Sequence, residues 1–155
     1  MKKIQGQHID FIPPSDYLNI YQDIGQANQA DWIQPVAETA LKYGIISKER
    51  TTFEPDRDVT RAEAYAMIMN SVCMTIDTKD TTNTTDTKNT DWRLSMYNRA
   101  NQEGLTSKTW DTFEPNRSIL RQELFLLASK ASDWAERTGG CDPKPEYCFL
   151  TAEES

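Results

Sequence analysis

Arginines recur at matching places in the two halves of the chain, at Arg57 and Arg61 and again at Arg117 and Arg121. Each pair follows a Phe-Glu-Pro tripeptide and precedes a segment with helical periodicity, so we expect it at the start of a helix. A helix N-terminus presents unpaired amides and a partial positive charge, and a guanidinium adds planar donors that fit a carboxylate or phosphate. The pattern therefore predicts two similar anion-accepting sites.

These arginines also have a structural alternative, in which a nearby carboxylate pairs with each of them. The candidate pairs are Arg61 with Glu54 or Glu63, and Arg121 with Glu114 or Glu123. Such a pair would only fix the loop on the helix, and ion pairs of this kind are common. From residue chemistry alone, the structural alternative is favoured over a ligand site.

Catalytic chemistry is not indicated. The single histidine, His8, has no nucleophile or second histidine near it in the sequence, and the cysteines lack a histidine partner. Glu54 and Glu114 stand at equivalent places in separate halves, whereas the two carboxylates of a glycosidase flank one bond. We therefore predict a protein that is not an enzyme and that uses no metal and no cofactor.

Charge and hydropathy exclude two classes of partner. The chain has 17 Lys and Arg against 24 Asp and Glu, a net charge of −7, whereas nucleic-acid binders carry an excess of basic residues. No apolar run approaches the roughly 18 residues that suggest a membrane span, and the first residues form no apolar signal core. We expect a chain that is either cytoplasmic or the mature segment of an exported protein.

The three cysteines leave the redox compartment open. Cys141 and Cys148 flank a short Pro-containing tail and either form a small disulfide loop or remain reduced. Cys73 is then left over, and we expect it to be a small buried apolar residue.

The most informative pattern is an internal repeat, because shifting the sequence by 60 residues aligns its halves without a gap. The recurring residues include Asp31-Trp32 with Asp91-Trp92, Gly44 with Gly104, Thr52-Phe53-Glu54-Pro55 with Thr112-Phe113-Glu114-Pro115, and Glu63 with Glu123. We interpret the chain as a tandem duplication.

Each repeat is predicted to be helix, loop, helix. The first has a helix over about 31–44, with Asp31 as N-cap and Gly44 as stop, and a second helix that opens with a Thr60/Glu63 capping box. The second has helices over about 91–104 and 119–137, where Leu120 replaces the capping threonine and Ser118 is the alternative cap.

A threonine-rich stretch separates the repeats and reads as a solvated linker. It lacks the glycine and terminal glutamate of an EF-hand loop, so calcium binding is rejected. The predicted organisation is an N-terminal segment 1–20, repeat 1 over 21–74, the linker 75–90, a degenerate repeat 2 over 91–138, and a C-terminal tail 139–155.

In order along the chain, these motifs resemble the S-layer homology domain of bacterial cell-envelope proteins. The residues that carry the resemblance are Tyr21-Gln22-Asp23-Ile24, Trp32, Gly44-Ile45-Ile46, Phe53-Glu54-Pro55 and Val59-Thr60-Arg61-Ala62-Glu63. It covers residues 21 to about 74 well, and 86 to about 132 in degenerate form. Lys48-Glu49-Arg50-Thr51 and Lys108-Thr109-Trp110-Asp111 replace the Gly- and Asp-rich turn that the family usually has.

The resemblance implies a mainly α fold, with tandem helix-loop-helix repeats packed as a small helical bundle that usually contains three repeats. It further implies a non-catalytic, extracellular module that anchors proteins to the cell wall by binding a secondary polysaccharide, commonly one with pyruvate ketals. Family resemblance favours the ligand role of Arg61. The implied carbohydrate-binding residues are Asp23, Trp32, Gly44 and Arg61, together with Trp92, Gly104 and Arg121.

Two repeats leave a threefold arrangement incomplete. Either the N-terminal segment fills the gap, with Phe11, Ile12, Tyr17, Leu18 and Ile20, or another chain does, as a homo-oligomer or a partner protein. Self-association is the preferred alternative, because an uncovered repeat interface is an expected contact surface. The alternative function is a structural or protein-interaction module of the cell surface that has lost sugar binding.

Overall fold

The computed structural model describes residues 11–26, 29–76 and 91–140, and over these ranges the fold is helical with no strand. The α-helices are α1 (Ile33–Lys42), α2 (Arg61–Ser71), α3 (Trp92–Gln102), α4 (Trp110–Phe113) and α5 (Arg121–Thr138), preceded by a 3-10 turn at Pro14–Asp16. The predicted mainly α class is confirmed, whereas the domain boundaries stay predictions. Nearly all of the linker lies outside the described residues.

Side-chain caps start two of the helices, and the cap of α2 is the predicted one. At α2, the Glu63 amide donates to Thr60 Oγ1 at 3.3 Å and the Thr60 amide to Glu63 Oε2 at 2.9 Å, which completes the capping box. At α3, Asp91 accepts from the amide of Arg93 at 3.1 Å.

Two predicted caps are wrong. Helix α1 begins one residue later than expected, with Trp32 at the N-cap, and the Asp31 side chain does not cap it. Helix α5 begins at Arg121 with Leu120 at the N-cap, and the Ser118 hydroxyl instead donates to Asp58 Oδ2 at 3.3 Å.

The apolar residues form two clusters. The smaller one joins the opening segment to α1 and consists of Tyr21, Ile24, Ala37 and Leu41, with Phe53 packed against it. Tyr21 and Phe53 lie 5.6 Å apart between ring centroids, so the Phe-Glu-Pro loop of repeat 1 is attached to this cluster.

The larger cluster is built around α2, which packs on both α3 and α5. Ala62 and Met69 of α2 meet Met96 and Ala100 of α3 and Leu127 of α5, all of them buried. The second helix of repeat 1 therefore contributes to a core that consists mainly of repeat 2.

Three helices end in the same closed turn. After α1 the amide of Gly44 donates to Leu41 and that of Ile45 to Ala40, and the matching bonds close α3 at Gly104. These are the paired bonds of a Schellman motif, which places its turn residue at positive φ, here 65° for Gly44 and 76° for Gly104. The predicted glycine stops are confirmed.

The third such turn ends α2 at Cys73, which takes φ 56° without being glycine. Cys73 is disulfide-bonded and only partly buried, so the expectation that it is a small buried apolar residue is wrong. Its partner lies outside the described residues, as do Cys141 and Cys148 and the predicted loop between them.

The opening segment packs on α1. The Ile12 amide donates to Thr39 Oγ1 at 3.2 Å, and the amides of Leu18 and Asn19 donate to the buried carboxylate of Glu38 at 2.8 and 3.0 Å. A buried carboxylate satisfied by backbone amides holds this segment in place.

Candidate functional site

Asp23 fixes the Phe-Glu-Pro loop of repeat 1. Its carboxylate accepts the amides of Phe53 at 2.8 Å and Glu54 at 2.7 Å. Burial alone would raise the pKa of Asp23, but these amide bonds outweigh it and hold the pKa below the usual 3.8. With both oxygens occupied, Asp23 positions the loop, and its predicted contact with sugar stays a prediction.

Arg61 is buried at the junction between the repeats, with 2% of its side chain exposed. Its guanidinium donates to the Phe113 carbonyl and the Glu123 carboxylate, and lies 5.8 Å from the centre of the Phe113 ring. The structural alternative proposed Glu54 or Glu63 as partners, and the structure instead supplies a glutamate from repeat 2. A ligand contact by Arg61 stays a prediction.

The N-terminus of α2 is likewise occupied. The amides of Arg61 and Ala62 donate to the carbonyls of Arg117 and Pro115 at 2.8 and 3.0 Å. These are the amides that an anion at this helix end would use, so the end now serves as a contact between repeats.

The two other loop arginines are paired with carboxylates. Arg57 donates to Glu63 at 2.7 Å, and Arg117 donates to Glu123 at the same distance. Burial alone would raise the pKa of each glutamate, but hydrogen bonds from arginines and from the helix-capping amides lower both pKa values below the usual 4.5. The arrangement therefore leaves little positive charge at these two positions for an external anion.

Arg121, the counterpart of Arg61 in repeat 2, is exposed at the start of the 18-residue helix α5. No ion pair or hydrogen bond to its side chain is found within the described ranges. Arg57, Arg61 and Arg117 are each paired with a glutamate, so among these four arginines Arg121 is the one without a carboxylate partner in the described residues.

Trp32 and Trp92 lie exposed at the starts of α1 and α3, with 65% and 45% of their surfaces accessible. Arg93, the residue after Trp92, donates to Asn116 Oδ1 at 2.6 Å, which joins the start of α3 to the loop that contacts α2. Flat exposed indoles suit packing on the apolar face of a sugar ring.

Gly44 and Gly104 lie at the opposite ends of α1 and α3 from the two tryptophans. Ten helical residues span about 15 Å, so each Trp and its glycine do not share one contact surface. Gly104 instead lines an open cleft of about 450 Å³ with Glu103, Lys130 and Asp133. The seven predicted residues thus form separate groups.

The sequence pattern did not predict Phe113 and Glu123 as partners of Arg61. Phe113 is fully buried and also packs edge-on against Tyr65 at 5.1 Å. Their recurrence 60 residues after Phe53 and Glu63 was visible, but a repeat pattern does not state which repeat supplies a contact.

The described ranges contain neither a metal-ion site nor a membrane span. No group of three His, Cys, Asp or Glu side chains there could hold a metal ion. No helix among the described residues is long and apolar enough to cross a membrane.

Comparison with known families finds one match. Residues 27–64, from before α1 to the first turn of α2, match the family model described as the S-layer homology domain. This part of the chain is therefore similar to an S-layer homology domain.

Curated relatives align over most of the chain. An amylopullulanase of Thermoanaerobacterium thermosulfurigenes is 29% identical over 119 residues, which is 75% of this chain and 6% of the relative. Exoglucanase XynX of Acetivibrio thermocellus is 29% identical over 65% of this chain and 9% of its own length. An endoglucanase of Bacillus sp. (strain KSM-635) is 28% identical over 70% of this chain and 11% of its own length.

The chain therefore spans no more than 11% of the length of these relatives, and their enzyme names describe those proteins. No solved structure matches the chain.

Proposed function

We propose that this chain is a non-catalytic anchoring module of the cell envelope that binds an anionic, pyruvylated secondary cell-wall polysaccharide outside the cell. The match of residues 27–64 to the S-layer homology domain carries this proposal. The absence of a nucleophile with a neighbouring base in the sequence supports a binding role.

In this proposal, the exposed residues of the predicted set make the contacts with the polysaccharide. Trp32 and Trp92 pack against sugar rings, and Arg121 pairs with the carboxylate of a pyruvate ketal. Asp23, Gly44, Gly104 and Arg61 hold the loops and helix ends that position these groups.

The test is retention of the dilute chain on immobilised pyruvylated wall polysaccharide, before and after mild acid has removed the ketals. Trp32→Ala should weaken retention roughly fivefold or more, because it removes a stacking surface. Phe11→Ala is the matched control, since Phe11 is 61% exposed on the opening segment and takes no part in the proposed site. Arg121→Ala should weaken binding to the pyruvylated polymer and leave binding to the acid-treated polymer unchanged.

An equal loss of retention in Trp32→Ala and Phe11→Ala would show that Trp32 takes no part in binding. Undiminished retention after the ketals are removed would show that the pyruvate carboxylate is not recognised.

A second candidate is a structural or protein-interaction module that no longer binds sugar. The observation in its favour is that Arg61, Arg57 and Arg117 are all paired with glutamates within the chain. Failure of the unmodified chain to bind the pyruvylated polymer, together with a discrete oligomer by light scattering, would favour this candidate.

A further inference from the structure

The contact between α2 and repeat 2 is an interface with two sides, and both sides lie within the described residues. One side is the first turns of α2, with Arg61 and Tyr65. The other side is Phe113, Glu114 and Glu123: Tyr65 packs edge-on against Phe113 at 5.1 Å, while Arg61 binds the Phe113 carbonyl and Glu123 and lies 3.8 Å from Glu114.

The first side of this interface recurs, unoccupied, on α5. Sixty residues after Arg61 and Tyr65 stand Arg121 and Phe125, and both are exposed, with Phe125 69% accessible. Leu126 follows at the position of Ala66 and is 59% exposed, although Ala66 packs against the larger cluster. The face of α5 away from α2 therefore presents the cation and aromatic ring of the same contact.

The second side recurs on repeat 1. Phe53, Glu54 and Glu63 stand 60 residues before Phe113, Glu114 and Glu123. Glu63 accepts from Arg57 and from the Thr60 amide, just as Glu123 accepts from Arg117 and the Leu120 amide. What Glu63 lacks is the buried guanidinium that Glu123 receives from Arg61.

An exposed arginine of the same loop stands where that guanidinium would be. Arg50 lies 3.9 Å from Glu54 and 3.8 Å from Glu63, with 60% of its side chain in solvent. Exposed pairs at this distance are weak, so an incoming arginine can displace Arg50 from the two carboxylates.

We propose that a second copy of this chain docks here, with Arg121 and Phe125 of one copy seated on Phe53, Glu54 and Glu63 of the next. Both complementary surfaces are present on every copy, and they lie on different repeats. Ile12, Leu18 and Asn19 of the opening segment are bound to Thr39 and Glu38 of α1. Tyr21 and Asp23 contact the Phe53 ring and the amides of Phe53 and Glu54, and these contacts leave the Glu54 and Glu63 carboxylates accessible to an incoming arginine.

The contact joins different surfaces of the two copies, so it is heterologous. Such contacts produce a closed ring when the rotation between copies allows it and a filament when it does not. The two surfaces carry opposite charge, which gives the association a dependence on salt.

The test is sedimentation velocity of the full chain over a range of concentrations without polysaccharide, so its outcome is separate from that of the wall-binding experiment. The unmodified chain should form species larger than a monomer as concentration rises. Phe125→Ala and Arg121→Glu should each raise the dissociation constant roughly tenfold or more, as loss of a central aromatic or arginine contact does. Phe11→Ala, an equally exposed aromatic elsewhere, should leave it unchanged.

A mixing experiment separates lost contact from lost folding. Arg121→Glu chains and Glu54→Lys chains should each remain monomeric, because each places like charges across the contact. Mixed, they should associate, because the Glu54→Lys chain retains its Arg121 and the Arg121→Glu chain retains its acceptor carboxylates. A monomer at all soluble concentrations, or association that neither charge reversal weakens, would overturn the proposal.

Discussion

Arg61 and Arg121 show how one residue in a repeated motif takes two different roles. Both follow the Phe-Glu-Pro loop at the same spacing, yet Arg61 is buried against repeat 2 and Arg121 is exposed. The sequence pattern predicted that both arginines lie at the start of a helix. Burial could not be predicted, because it depends on which element lies opposite, and a single motif does not encode its neighbour.

Arg61→Lys should reduce the free energy of unfolding by about 2 kcal/mol, because an ammonium cannot serve the Phe113 carbonyl and the Glu123 carboxylate with the same planar donors. Arg121→Lys is the matched control and should change the value by less than about 0.5 kcal/mol at an exposed position. Urea denaturation at a concentration that keeps the chain monomeric measures both. Equal effects of the two substitutions would show that the contacts of Arg61 with Phe113 and Glu123 do not stabilise the fold.

Acid should weaken the fold through Glu123. Its pKa in the folded state is below the usual 4.5, so its stabilisation is complete above about pH 5 and is lost as pH falls through the lower, folded value. Glu123→Gln should lower stability at pH 7 and flatten the decline in stability below pH 5.

Urea midpoints measured between about pH 3 and pH 7 test this expectation. Glu136→Gln, an exposed change on the same helix, is the control and should leave the pH profile unchanged. An unaltered slope in Glu123→Gln would show that the pairing with Arg61 and Arg117 contributes nothing.

Helix ends were the best-predicted elements because their chemistry is local. The capping box at Thr60 and the stop at Gly44 involve residues within one turn of each other, so short sequence patterns reveal them. The equivalent turn at Cys73 was not foreseen, since only glycine signals a positive φ in sequence. The short helix α4 was also missed, because it arises where Phe113 enters the core and tertiary packing decides its shape.

Gly104→Ala should lower the free energy of unfolding by about 1 kcal/mol, because alanine is strained at φ 76°. An added Cβ there meets no atom within 4 Å, so the effect is conformational and free of steric clash. Gly104→Asn should be milder, since asparagine tolerates this region better. Thermal unfolding measures both variants, and equal losses would contradict a backbone origin.

At the scale of the molecule, α2 is the element that unites the two repeats. The apolar patterns predicted the four longer α-helices but not their partners. Helix α2 was expected to complete repeat 1, whereas it packs on both α3 and α5. A helix buried on several sides has no single apolar stripe, so the positions of its apolar residues do not reveal which elements it packs against.

Repeat 1 should therefore not fold alone. A fragment of residues 1–76 exposes Ala62, Met69 and Arg61 to water, and we expect little cooperative unfolding by circular dichroism. Mixing it with a fragment of residues 77–155 should restore helicity and a cooperative transition. A well-folded 1–76 fragment would show that α1 and the opening segment support α2 without repeat 2.

The packing of α2 also bears on how such a chain gains or loses length. The 60-residue period of the sequence and the cluster that folds are offset, since the cluster joins α2 of repeat 1 to α3 and α5 of repeat 2. Inserting or deleting a whole 60-residue period preserves the packing of the second helix of one repeat against the first helix of the next repeat. Natural variation in this chain should thus occur in whole periods, while cuts within a period should be lost during evolution.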